Sequence, residues 1–373
     1  MHTKSSGVFI ASTGQHIGKT TSTLGLFSSM LKRFGKVGYM KPVGQEFVEI
    51  DSTTRVDKDA LLFRDLFSLT GPIEHMSPVI FPKGFTKNYI DGKVSLDALK
   101  RRIQDSFTKI VEQTPVVLAE GTGHMGVGAI ADLDNATTAN LMNLPIVIVA
   151  SGGLGSSFDT IALNKYVCDR LGVRIAGVIL NRVLDDKREM IVDYMGRALE
   201  RWDIPLIGTI PFSQILADLR MDDYAQLFKV PLITGLSHRY RYFEHVRLVA
   251  TSNEVYEQTM KRRQLTITPA SREDIIRSTL QKYEEYKKAE HNIDMEPGIL
   301  LTGRFQPKDR LVRQLEQADI PMLYVPENTF EVMKRITQHT AKIHIEDEQK
   351  VQQAIQLVES NINLNKLLDR LDI

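Results

Sequence analysis

Residues 12–21 read Ser-Thr-Gly-Gln-His-Ile-Gly-Lys-Thr-Thr and carry the most specific chemistry in the chain. An apolar run, Gly7-Val8-Phe9-Ile10-Ala11, leads into them and a segment of helical period follows, so the pattern predicts a strand turning into a helix. Such a turn aims several backbone N–H groups at one spot, and the helix start adds partial positive charge, which together suit phosphate oxygens. Gly14 and Gly18 let the backbone approach a ligand closely. Lys19 has the reach to touch β- and γ-phosphates, and the Thr20 hydroxyl fits a Mg²⁺ shell. The expected nucleotide-contacting segment is therefore Gly14, Gln15, His16, Ile17, Gly18, Lys19, Thr20 and Thr21. It departs from the common G-x-x-x-x-G-K-[ST] spacing, because Thr13 stands in the place of the first Gly and Gly14 follows it.

Further candidates sit at the ends of other apolar runs. Glu120 closes Val116-Val117-Leu118-Ala119 and precedes Gly121-Thr122-Gly123. An acid at the tip of a buried strand can face the phosphate loop and hold Mg²⁺ directly or through water; the plainer alternative is a carboxylate capping a turn. Asp59, in Asp57-Lys58-Asp59-Ala60-Leu61, is a second candidate acid, or an ordinary helix-start residue. Lys41 follows Val37–Met40 and projects from the carboxyl edge of the expected sheet, where ligands bind in open α/β folds, an ordinary exposed lysine being the plainer alternative. The run 151–157, Ser-Gly-Gly-Leu-Gly-Ser-Ser, sits at a similar edge and could touch substrate, meet a partner subunit or make a tight turn. Asn181, after Ala176–Leu180, has an amide able to donate to and accept from an adenine edge.

These residues need a sheet to bring them together. Candidate strands are 7–11, 37–40, 115–119, 145–150, 174–180 and 204–210, separated by helical patterns at 19–34, 58–69, 95–112, 156–171 and 187–201. That alternation, with runs apolar throughout, predicts a mostly parallel α/β sheet of P-loop NTPase type with helices on both faces. Residues 71–94, with three prolines, read as long irregular chain. The pattern changes near 211–240, and the remainder holds a second set of strand-like runs, Val246–Ala250, Leu265–Ile267, Gly298–Thr302 and Pro321–Val325, each followed by a helical pattern. The expected domains are 1–212, a smaller α/β domain over 213–360 and a helical tail over 361–373. The charged stretch Glu284–Glu296 reads as a helix end and loop.

Composition narrows the classes. The 373 residues are 42% hydrophobic and 25% charged with a formal net charge of +1, so no global field attracts nucleic acid or anionic lipid. A single cysteine, Cys168, excludes an intrachain disulfide and any multi-cysteine metal site. The first apolar run is five residues long and leads straight into the loop, unlike a signal peptide. No run approaches the ~20 apolar residues of a membrane span. The expectation is a cytoplasmic protein with neither membrane nor nucleic acid as partner.

Taken in order, the loop, Lys41-Pro42-Val43, Asp59-Ala60-Leu61, Glu120-Gly121-Thr122-Gly123 and Ile179-Leu180-Asn181-Arg182 make residues 7 to about 212 resemble the dethiobiotin synthetase family of P-loop proteins. The resemblance implies ATP and Mg²⁺ as cofactors, with Lys19 and Lys41 contacting phosphates or substrate. It further implies that Thr20, Asp59 and Glu120 surround Mg²⁺, that Asn181 reads adenine, and that a small-molecule acceptor and a homodimer belong to the picture.

Residues 213–360 resemble the DRTGG domain that follows this P-loop domain in the N-terminal half of long bacterial phosphate acetyltransferases. The match lies in residues 265–276, in Gly298–Arg304 and in Ala318-Asp319-Ile320-Pro321, with Ser271 where Asp is usual and Arg304 where the second Gly is usual. The acetyltransferase catalytic domain has no counterpart here, so the resemblance implies no acetyl phosphate synthesis. Gln45 stands where dethiobiotin synthetases usually carry a small Ser, and those enzymes lack the second domain. The expectation is therefore a nucleotide-responsive regulatory or sensing protein, with an ATP-dependent ligase and a nucleotide-free scaffold as alternatives.

Other features have plainer readings. His238-Arg239-Tyr240-Arg241-Tyr242-Phe243 mixes cations and aromatics, as single-stranded nucleic acid sites do, but its position favours packing between domains. Lys261-Arg262-Arg263 suits a helix end, His124 a polar loop, and Cys168 a buried packing thiol.

Overall fold

The computed structural model describes residues 7–52, 54–288, 295–339 and 341–373. The chain divides into two compact units, one built from the chain up to Leu216 together with Ile343–Ile373, the other from Ala217–Lys342.

In the first unit, strands β1 (Gly7–Ser12), β2 (Gly38–Met40), β3 (Val117–Glu120), β4 (Ile146–Ser151), β5 (Ile175–Val183) and β6 (Leu206–Pro211) form one sheet in the order β6-β5-β4-β1-β3-β2. Every neighbouring pair is parallel. Five longer helices, α1 (Lys19–Phe34), α2 (Lys58–Leu66), α3 (Leu96–Val111), α4 (Gly155–Leu171) and α5 (Arg188–Glu200), cover it. Strand β1 shows why its sequence does not alternate between apolar and polar. Val8 and Ile10 point into a core shared with Leu24, Phe27 and Phe63, while Phe9 and Ala11 point into the opposite one with Ile103, Ile161 and Ile191. Strands β2 and β3 lie on one side of β1 and β4 to β6 on the other, so the chain reverses its direction of travel there, and the carboxyl ends of β1, β3 and β4 frame a crevice where ligands bind in such sheets.

The second unit has strands β7 (Leu232–Thr234), β8 (His245–Leu248), β9 (Gln264–Pro269), β10 (Gly298–Thr302) and β11 (Met322–Val325), ordered β7-β11-β10-β9-β8. Only β7 runs antiparallel to its neighbour. Its longer helices are α6 (Met221–Phe228), α7 (Asn253–Thr259), α8 (Glu273–Lys288), α9 (Asp309–Gln317) and α10 (Thr329–Gln338). Among the described residues no helix is long and apolar enough to cross a membrane. Residues 289–294 of the charged stretch lie outside the described residues.

Three expectations change. Helices α11 (Glu348–Glu359) and α12 (Leu364–Leu371), read from sequence as the end of the second domain and a tail, pack on the first unit. Ala354, Val358, Leu367, Leu368 and Leu371 share the core that holds Val8, Leu24 and Phe27. A Cβ on Gly25 would lie 2.2 Å from the Val358 Cβ, so α1 and α11 touch backbone to side chain at that glycine. Glu359 accepts from Ser28 Oγ and from Lys32 Nζ, both at 2.7 Å. Helical period marked an apolar face on these helices but carried no information about which sheet would bury it.

Residues 71–94 are less irregular than their prolines suggested: Val79–Ile80 pairs in parallel with Val43–Gly44, and Phe81 and Phe85 stack at 3.8 Å. The basic aromatic run 238–243 packs within the second unit. Arg239 pairs with Asp222 at 2.7 Å, Arg220 lies over Tyr240, and Phe243 is buried where Gly298 leaves room for its ring. Its cations and rings satisfy one another locally, so nothing about it requires a nucleic acid.

Candidate nucleotide site

The loop after β1 has the geometry its residues call for. His16 and Gly18 have φ of 59° and 91°, the left-handed region, and at position 18 glycine reaches it without strain. Helix α1 begins at Lys19, immediately past the turn, so the free N–H groups of its first turn open beside the loop. Gly35 ends the helix with φ of 71° and donates to Leu31 O. Ser12 Oγ lies 2.9 Å from both Gly14 O and Gly123 O, tying the loop to the segment after β3.

Five expected residues converge at this end of the sheet. Lys19 Nζ donates to Gly123 O at 3.0 Å, and Thr20 Oγ1 donates to Glu120 Oε1 at 2.9 Å. Lys41 Nζ donates to the same Glu120 oxygen at 2.9 Å and to Asp59 Oδ2 at 2.6 Å. Glu120 is fully buried and Lys41 is 4% exposed, so this ion pair sits in low dielectric and is held by geometry rather than screened by water. Burial pulls Lys41 downward, but Asp59, Glu120 and Asp57 more than offset it and hold the ammonium above its ordinary range. Burial of its ammonium, with Lys41 close by, lowers Lys19 to about 8.

Asn181 also reaches the loop, from the carboxyl end of β5. Its Nδ2 donates to Ile17 O at 2.6 Å and its Oδ1 accepts from Arg182 N at 2.9 Å. At 4% exposure the amide braces the loop. The 151–157 run makes a tight turn, with Ser157 Oγ donating to Ser151 O at 2.8 Å. His124 Nδ1 accepts from Gly126 N at 3.2 Å within its own loop. Cys168 is fully buried, and burial raises its thiol to about 12, which suits packing and not reactivity.

Residues not singled out from sequence complete the cluster. Asp57 caps α2, accepting from Asp59 N at 2.9 Å and Gln45 N at 3.2 Å. Burial raises it to about 7, Lys41 opposing and Asp59 adding to the shift. Tyr39 donates to Glu120 Oε2 at 3.4 Å, and burial beside that carboxylate raises its phenol well above the usual value. Thr122 Oγ1 donates to Val43 O. The two-residue spacing of Asp57 and Asp59 was visible in the sequence; Tyr39 gave no signal, because a tyrosine in an apolar strand reads as core.

A loop of this form at the carboxyl edge of a parallel sheet, with a lysine, a threonine and a strand-end acid, defines a P-loop α/β protein. The chain belongs to the AAA domain family, whose model matches residues 6–220, and a DRTGG domain matches residues 223–339. The chain is 24% identical to a phosphate acetyltransferase of Synechocystis sp. over 98% of this chain and 52% of that one. It is 30% identical to an ATP-dependent dethiobiotin synthetase of Clostridium kluyveri over 48% of this chain and 76% of that one. The chain thus spans about half the length of the phosphate acetyltransferase it matches. A solved plasmid partition protein from Borrelia burgdorferi bound to AMPPNP is a loose likeness, 14% identical with a TM-score of 0.37 over 57% of this chain and 90% of that one.

Proposed function

We propose that this chain binds Mg-ATP in its first unit and acts as a nucleotide-responsive regulatory or sensing protein, related to the N-terminal part of phosphate acetyltransferases. The observation that carries the reading is the meeting of Lys19, Thr20, Lys41, Asp59 and Glu120 beside a loop whose backbone is already turned for phosphate. The donor set fits the metal: a hydroxyl and two carboxylates are the hard oxygens Mg²⁺ takes, and here the two carboxylates already hold a cation, the Lys41 ammonium, while the Thr20 hydroxyl bonds one of them. Thr20, Asp59 and Glu120 would hold the ion, whose role when bound is to neutralise charge on the β- and γ-phosphates. Lys19 trades the Gly123 carbonyl for a phosphate oxygen, and the loop N–H groups from Gly14 to Thr21 receive the rest of the chain of phosphates. Any hydrolysis would rest on Lys19 and Lys41 stabilising charge on the transferred group. The DRTGG unit as the responding part and assembly as a homodimer in the cytoplasm belong to the same reading.

The test is the melting temperature of wild type and Lys19→Ala with and without Mg-ATP. A ligand at ~100 times its dissociation constant stabilises by about 2.7 kcal/mol. The expected result is a rise in wild type alone; no rise in either would favour a nucleotide-free scaffold. The match to a relative named as an ATP-dependent dethiobiotin synthetase favours a second reading, a ligase that phosphorylates a small carboxylate or carbamate. Phosphate release that requires an added acceptor would select it.

A further inference from the structure

At the amino-terminal end of β2, the end opposite the phosphate loop, the first unit has a half-open cavity of about 200 Å³. Its walls come from the end of α1, the edge strand itself, the segment after α2 and the last turn of α3. Leu31, Val37, Phe67, Leu69 and Ile110 give it an apolar lining. Its volume falls below the ~300–1,000 Å³ of sites for drug-sized molecules, leaving room for a ligand of about ten non-hydrogen atoms.

The charge around it has one sign. Lys36 and Lys109 line the cavity, and no acidic side chain does. Both lysines are exposed, and neither has an ion pair among the described residues. Three helices end here, and lysines can complement helix carboxyl ends without any ligand. Some carbonyls at each end already have partners. Leu31 O accepts from Gly35 N, Phe63 O from Phe67 N, and Ile110 O from Gln113 N and the Thr114 hydroxyl. Both lysines line the cavity from exposed positions.

The wall is also bonded to the charged cluster. Met76, which lines the cavity, accepts from Lys41 N at 2.7 Å, and the next residue, Ser77, accepts from Asp57 N through its hydroxyl at 2.9 Å. Tyr39, in the same wall, stacks on Phe63 at 3.9 Å and reaches Glu120 through its hydroxyl. Each of Lys41, Asp57 and Glu120 thus has one bond to the structure that shapes the cavity.

We propose that this cavity is an effector site for a small organic anion with a compact apolar body and one carboxylate, and that Met76, Ser77 and Tyr39 carry its occupancy to the Lys41–Glu120 cluster. The binding half stands apart from the nucleotide reading; only the consequence of occupancy rests on it.

The probes are phenylacetate, its neutral isostere phenylacetamide and the cation phenethylammonium, each titrated into the full chain by equilibrium dialysis without nucleotide. Phenylacetate should bind at one site per chain at least tenfold more tightly than the other two. The double variant Lys36→Gln, Lys109→Gln, which removes both charges at exposed positions, should lose that preference, with its melting curve confirming that it is folded. Equal binding of the three probes, preference for the cation, or an unchanged preference in the variant would overturn the site. Hydrogen exchange then tests the link: phenylacetate should slow exchange in peptides covering 117–122, outside the cavity wall, and a change confined to the wall would overturn the coupling. Loss of Mg-ATP binding in wild type would sink the nucleotide reading and leave the dialysis result standing.

Discussion

Asn181 occupies the space that a side chain on Gly18 would need: a Cβ there would lie 2.0 Å from the Asn181 Nδ2. The same nitrogen holds Ile17 O, so one amide both forbids bulk in the loop and fixes its carbonyl. Asn181→Ala should therefore weaken ATP and GTP alike, by about the 0.5–1.5 kcal/mol of a neutral hydrogen bond. Competition binding of the two nucleotides measures this. Loss of ATP alone, with GTP untouched, would return Asn181 to reading the base.

Lys19 gives the site a pH signature. Its pKa near 8 in the free protein means that between pH 8 and 10.5 the folded chain binds fewer protons here than the unfolded chain, so this group's cost to stability fades as pH rises through that window. Phosphates favour the charged ammonium, so ATP binding above pH 8 should take up protons. Calorimetry at pH 8.5 in buffers of different ionisation enthalpy should show that uptake in wild type and not in Lys19→Met.

Asp57 works with the opposite sign. Raised from 3.8 to about 7, it binds more protons folded than unfolded between those values, so its contribution makes stability fall as pH rises through them. Asp57→Asn keeps an acceptor for Asp59 N and removes the titration. Denaturant unfolding from pH 4.5 to 7.5 should show a shallower decline, or a steeper rise, in the variant than in wild type. Parallel curves would contradict the assignment.

Gly25 and Val358 make a pair that can be tested by compensation. Gly25→Val overpacks the contact between α1 and α11 and should cost about 1–3 kcal/mol. Combining it with Val358→Ala should recover part of that loss, because residues in contact are not additive. A fully additive double variant would mean that the two helices separate in solution.

Most of the first unit was legible because its strands are buried on both faces and read as unbroken apolar runs, with helices of clear period between them. The loop, Lys41 and Glu120 were legible for a related reason: each stands at the end of such a run, and strand ends on one edge of a parallel sheet must meet, while Asp59 was marked only by its place at a helix start. What escaped depended on partners distant in sequence. Tyr39 gains its role from Glu120, Asp57 from its burial beside Lys41, and Asn181 its brace from Ile17. None of those pairings leaves a mark in local spacing.

The return of α11 and α12 to the first sheet makes the second unit an insertion within the first. A ribosome that has made every strand of the phosphate-binding sheet has not yet made the helices that cover Leu24 and Phe27. The first core must wait through the synthesis of residues 217–342, exposed or sheltered by other means. A fragment cut after Leu216 would keep every residue of the proposed nucleotide site and lose part of the layer that protects it. Poor solubility of such a fragment would say nothing against the site itself.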